Sequence, residues 1–412
     1  MTATRPAYDV VVFGATSFVG QILARYLLAE FGLRGKLRWA IAGRSRPKLE
    51  ELRKSLGRKA ASLPILVADA ADEDALREMC RQARVVASTV GPYALYGEPL
   101  VKVCAETGTD YCDLTGEPHW IRRMLDRYED AARKSGARIV HCCGFDSIPS
   151  DLGVHFLQRE ALRRFGEPCT RVKFRVKGAS GGFSGGTVAS LMNAVKEAAA
   201  DPALRKILAN PYALCPKGQR LKTRQPRVKL AELDADFDSW VAPFVMGAIN
   251  TRIVHRSNAL TKHRYGKDFL YDEAVLTGPG LKGRLTAAGI SAGISGVLAA
   301  SAVPPVRAAV ERFVAPPGSG PDEAAQKKGF WNVRLLGITA DGRRLQVKLA
   351  GQGDPGYGST SKMLGQAAAC LALDVPKSAL RGGFWTPATA LGDHLVERLV
   401  KHADVEFEVL GE

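Results

Sequence analysis

The stretch Tyr8-Asp9-Val10-Val11-Val12-Phe13-Gly14-Ala15-Thr16-Ser17-Phe18-Val19-Gly20 carries an apolar strand through a turn of small residues into the helical pattern Gln21-Ile22-Leu23-Ala24-Arg25-Tyr26-Leu27-Leu28. A strand joined to a helix by such a turn can hold a dinucleotide pyrophosphate. Gly14 permits the tight turn. Ala15, Thr16 and Ser17 are small enough for phosphate oxygens to reach backbone N–H groups, and Gly20 lets the helix pack on the strand with its positive end toward the phosphate. Ser17 stands where related loops place a second glycine, so the spacing departs from G-x-G-x-x-G. Gly14, Ala15, Thr16, Ser17, Phe18, Val19 and Gly20 are therefore the expected pyrophosphate loop.

A second strand, Leu37 to Ala42, ends at Gly43-Arg44-Ser45 and leads into a helix carrying Lys48, Leu49 and Leu52. A site for NAD wants a carboxylate near this strand end to accept from the ribose 2′-hydroxyl, and none is there. Arg44, Ser45 and Lys48 offer a guanidinium fork, a hydroxyl and a point charge, which suit a 2′-phosphate and hence NADP(H). A solvated basic loop is the alternative reading of the same residues.

The 412 residues suffice for two or three domains, and 46% hydrophobic with 24% charged residues is an ordinary globular balance. The formal charge of +16 favours acidic partners, phosphates or an anionic membrane face. Nucleic acid is not expected, because the basic residues are scattered and no recognition motif is present. The eight cysteines form no C-x-x-C pair and fall in apolar runs, which points to reduced buried thiols rather than a disulfide framework or a metal site. No apolar export segment precedes the first strand, so a cytoplasmic protein is expected. Leu285 to Val306 has no charged residue, with Gly289 and Gly293 in G-x-x-x-G spacing and Pro304-Pro305 near its end. Its serines and glycines dilute the hydrophobicity, and a buried or membrane-surface helix is favoured over a membrane span.

Strand and helix patterns alternate over residues 1–150 as in an α/β, Rossmann-type, doubly wound parallel sheet. Its further strands are Pro64 to Asp69, Arg84 to Val90, Tyr111 to Leu114 and Ala137 to Cys142. Ligands bind beyond the carboxyl ends of such strands, so the loop from Gly14 to Gly20, Arg44, Asp69, Gly91-Pro92 and Thr115-Gly116 should converge there. Residues 151–352 read as an α+β substrate or dimerisation domain that includes the apolar helix 285–306. It also has a glycine-rich turn, Gly181 to Thr187, before a helix, and a hairpin signal at Asp341-Gly342. Residues 353–412 read as C-terminal helices that pack back on the first domain, closing with a strand-like Val405 to Leu410.

These motifs, in this order, resemble the saccharopine dehydrogenase-like oxidoreductases and, among them, the trans-acting enoyl reductases. The resemblance runs through Ala42-Gly43-Arg44-Ser45, Ser88 to Tyr93, Tyr111 to Glu117, Gly144 to Asp151, Gly185-Gly186-Thr187, Gly353 to Gly358 and Leu391-Gly392-Asp393. It implies an NADPH-dependent reductase of a C=C bond in an apolar lipid or polyketide acyl chain. The chain would be presented in trans by an acyl carrier protein or at a membrane surface, and the enzyme would pair as a homodimer. Hydride addition to an enoyl thioester leaves an enolate that needs a donor and a proton. Tyr93 and Asp146 are the catalytic candidates, with aromatic packing and helix capping as their structural alternatives. The rival functions are an amino-acid dehydrogenase acting at a C–N bond and a binding protein that holds NADP without catalysis.

Overall fold

The computed structural model describes residues 6–181, 190, 193, 196–198, 200–219, 221–302 and 320–411. The chain forms two compact units. The first holds the described residues up to Phe145, Gly320 and Tyr357–Ala403; the second holds those from Asp146 to Ala302, Pro321–Gly356 and the chain from Asp404 onward.

The first unit is built on seven parallel strands: β1 (Tyr8–Phe13), β2 (Trp39–Gly43), β3 (Ile65–Val67), β4 (Ala83–Ser88), β5 (Asp110–Asp113), β6 (Arg138–Val140) and β13 (Gly383–Trp385). Their order, β13-β6-β5-β4-β1-β2-β3, is that of a Rossmann sheet with one strand added at an edge. Val10 to Val12, Ala40 to Ala42 and Val85 to Ala87 are buried, as continuous apolar runs must be when helices cover both faces. One of those helices, Gly358–Leu373, arrives from the far end of the chain and packs on the helix Phe18–Phe31 and on β1, β4 and β5. Met363, Leu364, Ala367, Ala368 and Leu371 form its buried face.

Beneath that helix Arg138 and Asp110 form a fully buried ion pair, Nε and Nη2 lying 3.0 and 2.5 Å from Asp110 Oδ2. The remaining guanidinium contacts go to the carbonyls of Val375 (2.6 Å) and Leu371 (2.9 Å), and Lys377 Nζ reaches Asp110 Oδ1 at 2.5 Å.

The second unit is a mixed sheet of β7 (Cys169–Ser180), β8 (Glu232–Asp234), β9 (Ser239–Pro243), β10 (Leu270–Gly278), β11 (Phe330–Thr339), β12 (Arg344–Gln352) and β14 (Val405–Leu410). The order is β14-β12-β11-β7-β10-β9-β8, with only β7 and β10 parallel. Asp341-Gly342 makes the β11–β12 turn, Gly342 taking φ +91°. The C-terminal segment, expected over 353–412 to return as one piece, is divided: its last strand hydrogen-bonds β12, because Val405, Phe407 and Val409 continue the alternation of that sheet.

The helix Gly280–Ala302 packs on β9 and β10 along one narrow stripe of Gly283, Ala287 and Ser291, while Leu281 and Leu285 are 69% and 64% exposed. Among the described residues no helix is long and apolar enough to cross a membrane. The end of the expected 285–306 segment and residues 182–187 of the glycine-rich turn lie outside the described residues. All eight cysteines are buried thiols outside any disulfide.

Asp110→Ala would leave the Arg138 charge buried without its carboxylate and is expected to cost about 3–5 kcal/mol of stability. A denaturant titration reads it, and a loss below about 1 kcal/mol would show that Arg138 does not depend on the pair.

Candidate active site

Because the sheet of the first unit is parallel, the exits of β1 to β6 lie along one edge, and the residues expected to bind the dinucleotide follow the first four of them. Gly14 takes φ +81°, a conformation that favours glycine. A Cβ on Gly20 would stand 2.3 Å from the Gly14 carbonyl oxygen, so only glycine allows this approach of helix to turn. Ser17 caps the helix: its Oγ accepts from Gly20 N–H at 3.0 Å and lies 3.0 Å from Thr89 Oγ1, which donates to the Gly14 carbonyl at 2.9 Å. Ser17 thus fastens the loop to the exit of β4. The Phe18 and Val19 amides remain as donors of the first turn, the arrangement a pyrophosphate needs.

At the exit of β2, Arg44 and Lys48 are exposed, and among the described residues neither has a carboxylate partner. Ser45 occupies the N-cap of the helix Arg46–Ser55 without using its hydroxyl there. Two free cations and a free hydroxyl fit a phosphate better than a ribose hydroxyl. Asp69, past β3, is exposed and accepts from the Ala71 amide at 2.9 Å. Past β4, Gly91 and Pro92 lead into the short helix Tyr93–Tyr96.

Tyr93 is buried and points inward. Its hydroxyl donates to the Ser88 carbonyl at 2.9 Å and accepts from the Leu114 amide at 3.1 Å, and its ring packs on Trp120. This phenol ties the ends of β4 and β5 together. Tyr96 is exposed. Asp146, after β6, belongs to the second unit; it is half-buried, and among the described residues it has no hydrogen-bond or ion-pair partner. Desolvation alone pushes its carboxyl up to about 7.

Two carboxylates that organise this edge were not assigned from the sequence. Glu117 accepts from the amides of Tyr93 and Ala94, at 2.8 and 2.9 Å, and so seats the short helix. Asp113 is fully buried and takes four hydrogen-bond contacts: Thr115 N and Cys142 N on Oδ1 (3.1 Å each), Tyr111 OH (3.0 Å) and His141 Nδ1 (2.7 Å) on Oδ2. Burial foremost, and the Asp113 charge, hold the Tyr111 phenol well above its ordinary value, so it stays a donor. Cys142 takes φ +63°, uncommon for a residue with a Cβ, and the Asp113 contacts to Cys142 and Cys143 hold it there. The signal in the sequence was the alternation Asp113, Thr115, Glu117 after an apolar strand, a pattern suited to loop N–H groups.

The family described as the saccharopine dehydrogenase NADP-binding domain matches residues 10–140. A Mycobacterium tuberculosis protein provisionally named a trans-acting enoyl reductase is 42% identical over 97% of both chains. A Mycobacterium bovis protein named trans-acting enoyl reductase is 38% identical over the same shares, and one from Mycobacterium ulcerans 36%. Among solved structures, apo saccharopine dehydrogenase (L-Glu forming) from Saccharomyces cerevisiae aligns over 98% of this chain and 100% of its own, with a TM-score of 0.53. At 14% identity that likeness concerns the fold.

Arg44→Ala is expected to weaken NADPH binding by about 1.5–3 kcal/mol, the worth of hydrogen bonds to a charged group, and NADH binding far less. Titration calorimetry with both cofactors measures the difference; equal losses would remove Arg44 from the 2′-phosphate site.

Proposed function

Because this chain belongs to the saccharopine dehydrogenase-like oxidoreductases, in their trans-acting enoyl reductase branch, we propose that it reduces the C=C bond of a lipid or polyketide acyl chain delivered by a separate carrier protein. It is an NADP-dependent oxidoreductase of enoyl reductase type. The observation that carries the reading is the 42% identity over 97% of both chains, which spans the second unit as well as the dinucleotide unit.

NADPH, when bound, supplies the hydride. The chain's own residues hold it: the loop from Gly14 to Gly20 takes the pyrophosphate, Arg44, Ser45 and Lys48 the 2′-phosphate, and Asp69, Gly91 and Pro92 border the remainder. Addition at the β-carbon of an enoyl thioester places negative charge on the carbonyl side, and a proton must follow to the α-carbon. We assign that proton to Asp146. A carboxyl raised to about 7 is still substantially protonated near neutral pH, and no other side chain competes for it among the described residues. Tyr93 is assigned a positioning role, since its proton is committed to the Ser88 carbonyl and its oxygen to the Leu114 amide. The exposed apolar side of the helix Gly280–Ala302, with Leu281 and Leu285 beside Lys282 and Arg284, is suited to an acyl chain, an acidic carrier or an anionic membrane face.

The reading is tested by following NADPH oxidation with long-chain enoyl thioesters, free and carrier-linked, against saccharopine-type amino acids. Turnover of enoyl acceptors is expected; turnover of the amino acids alone would overturn it. In the same assay Ile294→Asp should reduce long-chain turnover more than NADPH affinity.

The rate should fall as pH rises through about 7, where Asp146 loses its proton, and Asp146→Asn should lower kcat by about a hundredfold and flatten that limb. The linkage gives a second readout. A folded-state pKa above the unfolded value makes protonation favour the fold, so the stability tied to Asp146 is lost as pH rises from about 4 through about 7. Asp146→Asn should therefore be more stable than the parent at pH 8, on the order of 2 kcal/mol, and not at pH 4.

A further inference from the structure

The second unit contains a cavity of about 170 Å³ bordered by the helix Gly247–Leu260, β9, β10 and residues 208, 211 and 225–228. Its wall is apolar over Leu208, Pro211 and Phe244 and cationic at Arg227 and Arg252. Arg252 is only 3% exposed. Its Nη1 and Nη2 donate to the carbonyls of Ala248 and Leu208, while its buried Nε has no hydrogen-bond partner. Arg227 is exposed and gives one bond, to the Ala209 carbonyl at 2.9 Å. Among the described residues neither guanidinium pairs with a carboxylate.

The two acids of the wall are engaged elsewhere. Asp272 sits between Arg171 and Arg175, with 2.9 Å to Arg175 Nη2. Glu273 accepts from Tyr271 OH at 2.5 Å and Asn250 Nδ2 at 2.9 Å, and burial pushes its carboxyl up to about 7, so it carries only part of a charge at neutral pH. Arg252 is drawn down to about 10, by burial first and by Arg227 next, and remains a cation. A buried guanidinium with no counter-charge among the described residues is costly, and an anion seated in the cavity beside it would offset that cost.

We propose that this cavity is a binding site for a small monocarboxylate, its carboxylate held by Arg227 and beside the Arg252 charge, its short apolar body against Leu208, Pro211 and Phe244. The volume sets the size, since a cavity of about 150 Å³ accommodates benzene, so butyrate and benzoate are matched probes. The acids in the wall set the charge: a dianionic phosphate beside Asp272 and Glu273 would meet more repulsion than a monoanion. The site lies within the second unit alone and its occupancy is read without turnover, so it stands or falls separately from the reductase reading.

The test is calorimetric titration of the full-length protein with benzoate, butyrate and methyl phosphate, at ionic strength held constant with chloride. Arg252 also holds two carbonyls, so the variants are Arg227→Gln and Ala248→Leu, both at exposed positions that leave the core untouched. Saturable carboxylate binding is expected, weakened about tenfold by Arg227→Gln and abolished by the leucine over the cavity. No saturable carboxylate binding, tighter binding of methyl phosphate, or binding unchanged in either variant would each overturn the proposal.

Discussion

Burying a guanidinium is least costly when its donors find acceptors, and Arg138 finds them in two separate parts of the chain. Its own backbone amide and its side chain hold Asp110 on the neighbouring strand, and its remaining donors reach Leu371 and Val375, more than 230 residues away. The pair stands at the start of β5 and β6 and fixes their register, and with it the far ends where Asp113 and His141 meet. Because the same guanidinium caps carbonyls at the end of the helix Gly358–Leu373, the cover on the first sheet and the alignment of its strands are set by one interaction.

The strand exits divide by chemistry. Around β4 and β5 three polar groups are committed: Glu117 seats the short helix, Asp113 gathers four contacts, and the Tyr93 hydroxyl serves two backbone groups. Around β1 and β2 the polar groups are uncommitted: the first-turn amides after Ser17, the Ser45 hydroxyl, and the charges of Arg44 and Lys48. Committed groups hold their loops in place, and uncommitted ones are available to a ligand. Their placement along one edge separates a preorganised wall from the groups proposed to hold the phosphates.

Much of this was legible because it is local. Gly14 and Gly20 announce a turn that admits no Cβ, the uninterrupted apolar strands announce a sheet covered on both faces, and Asp341-Gly342 announces a hairpin. What was not legible depends on distant partners. Nothing near Gly383 marks β13 as the added edge of the first sheet, and the alternation in Val405 to Leu410 does not say which sheet it joins. Arg138 reads as one basic residue among 58 until Leu371 and Val375 are folded over it. Asp113 and Glu117 show no distinct role in the sequence, since a carboxylate that organises loop amides has the same sequence pattern as one that binds a ligand. Arg252 was hidden in the same way, by an ordinary helical context.

The division of the C-terminal segment bears on how the protein is made. A ribosome that has released residues up to Phe145 has delivered six of the seven strands of the first sheet but neither its last edge nor the helix whose Met363, Leu364 and Leu371 cover it. Those pieces emerge only after most of the second unit. The nascent dinucleotide unit must therefore wait with an apolar face bare, while the second unit waits in turn for the final strand. Neither can be completed vectorially from the N-terminus, and a premature stop before residue 358 strands both halves in an adhesive state, the kind that chaperones hold and proteases clear.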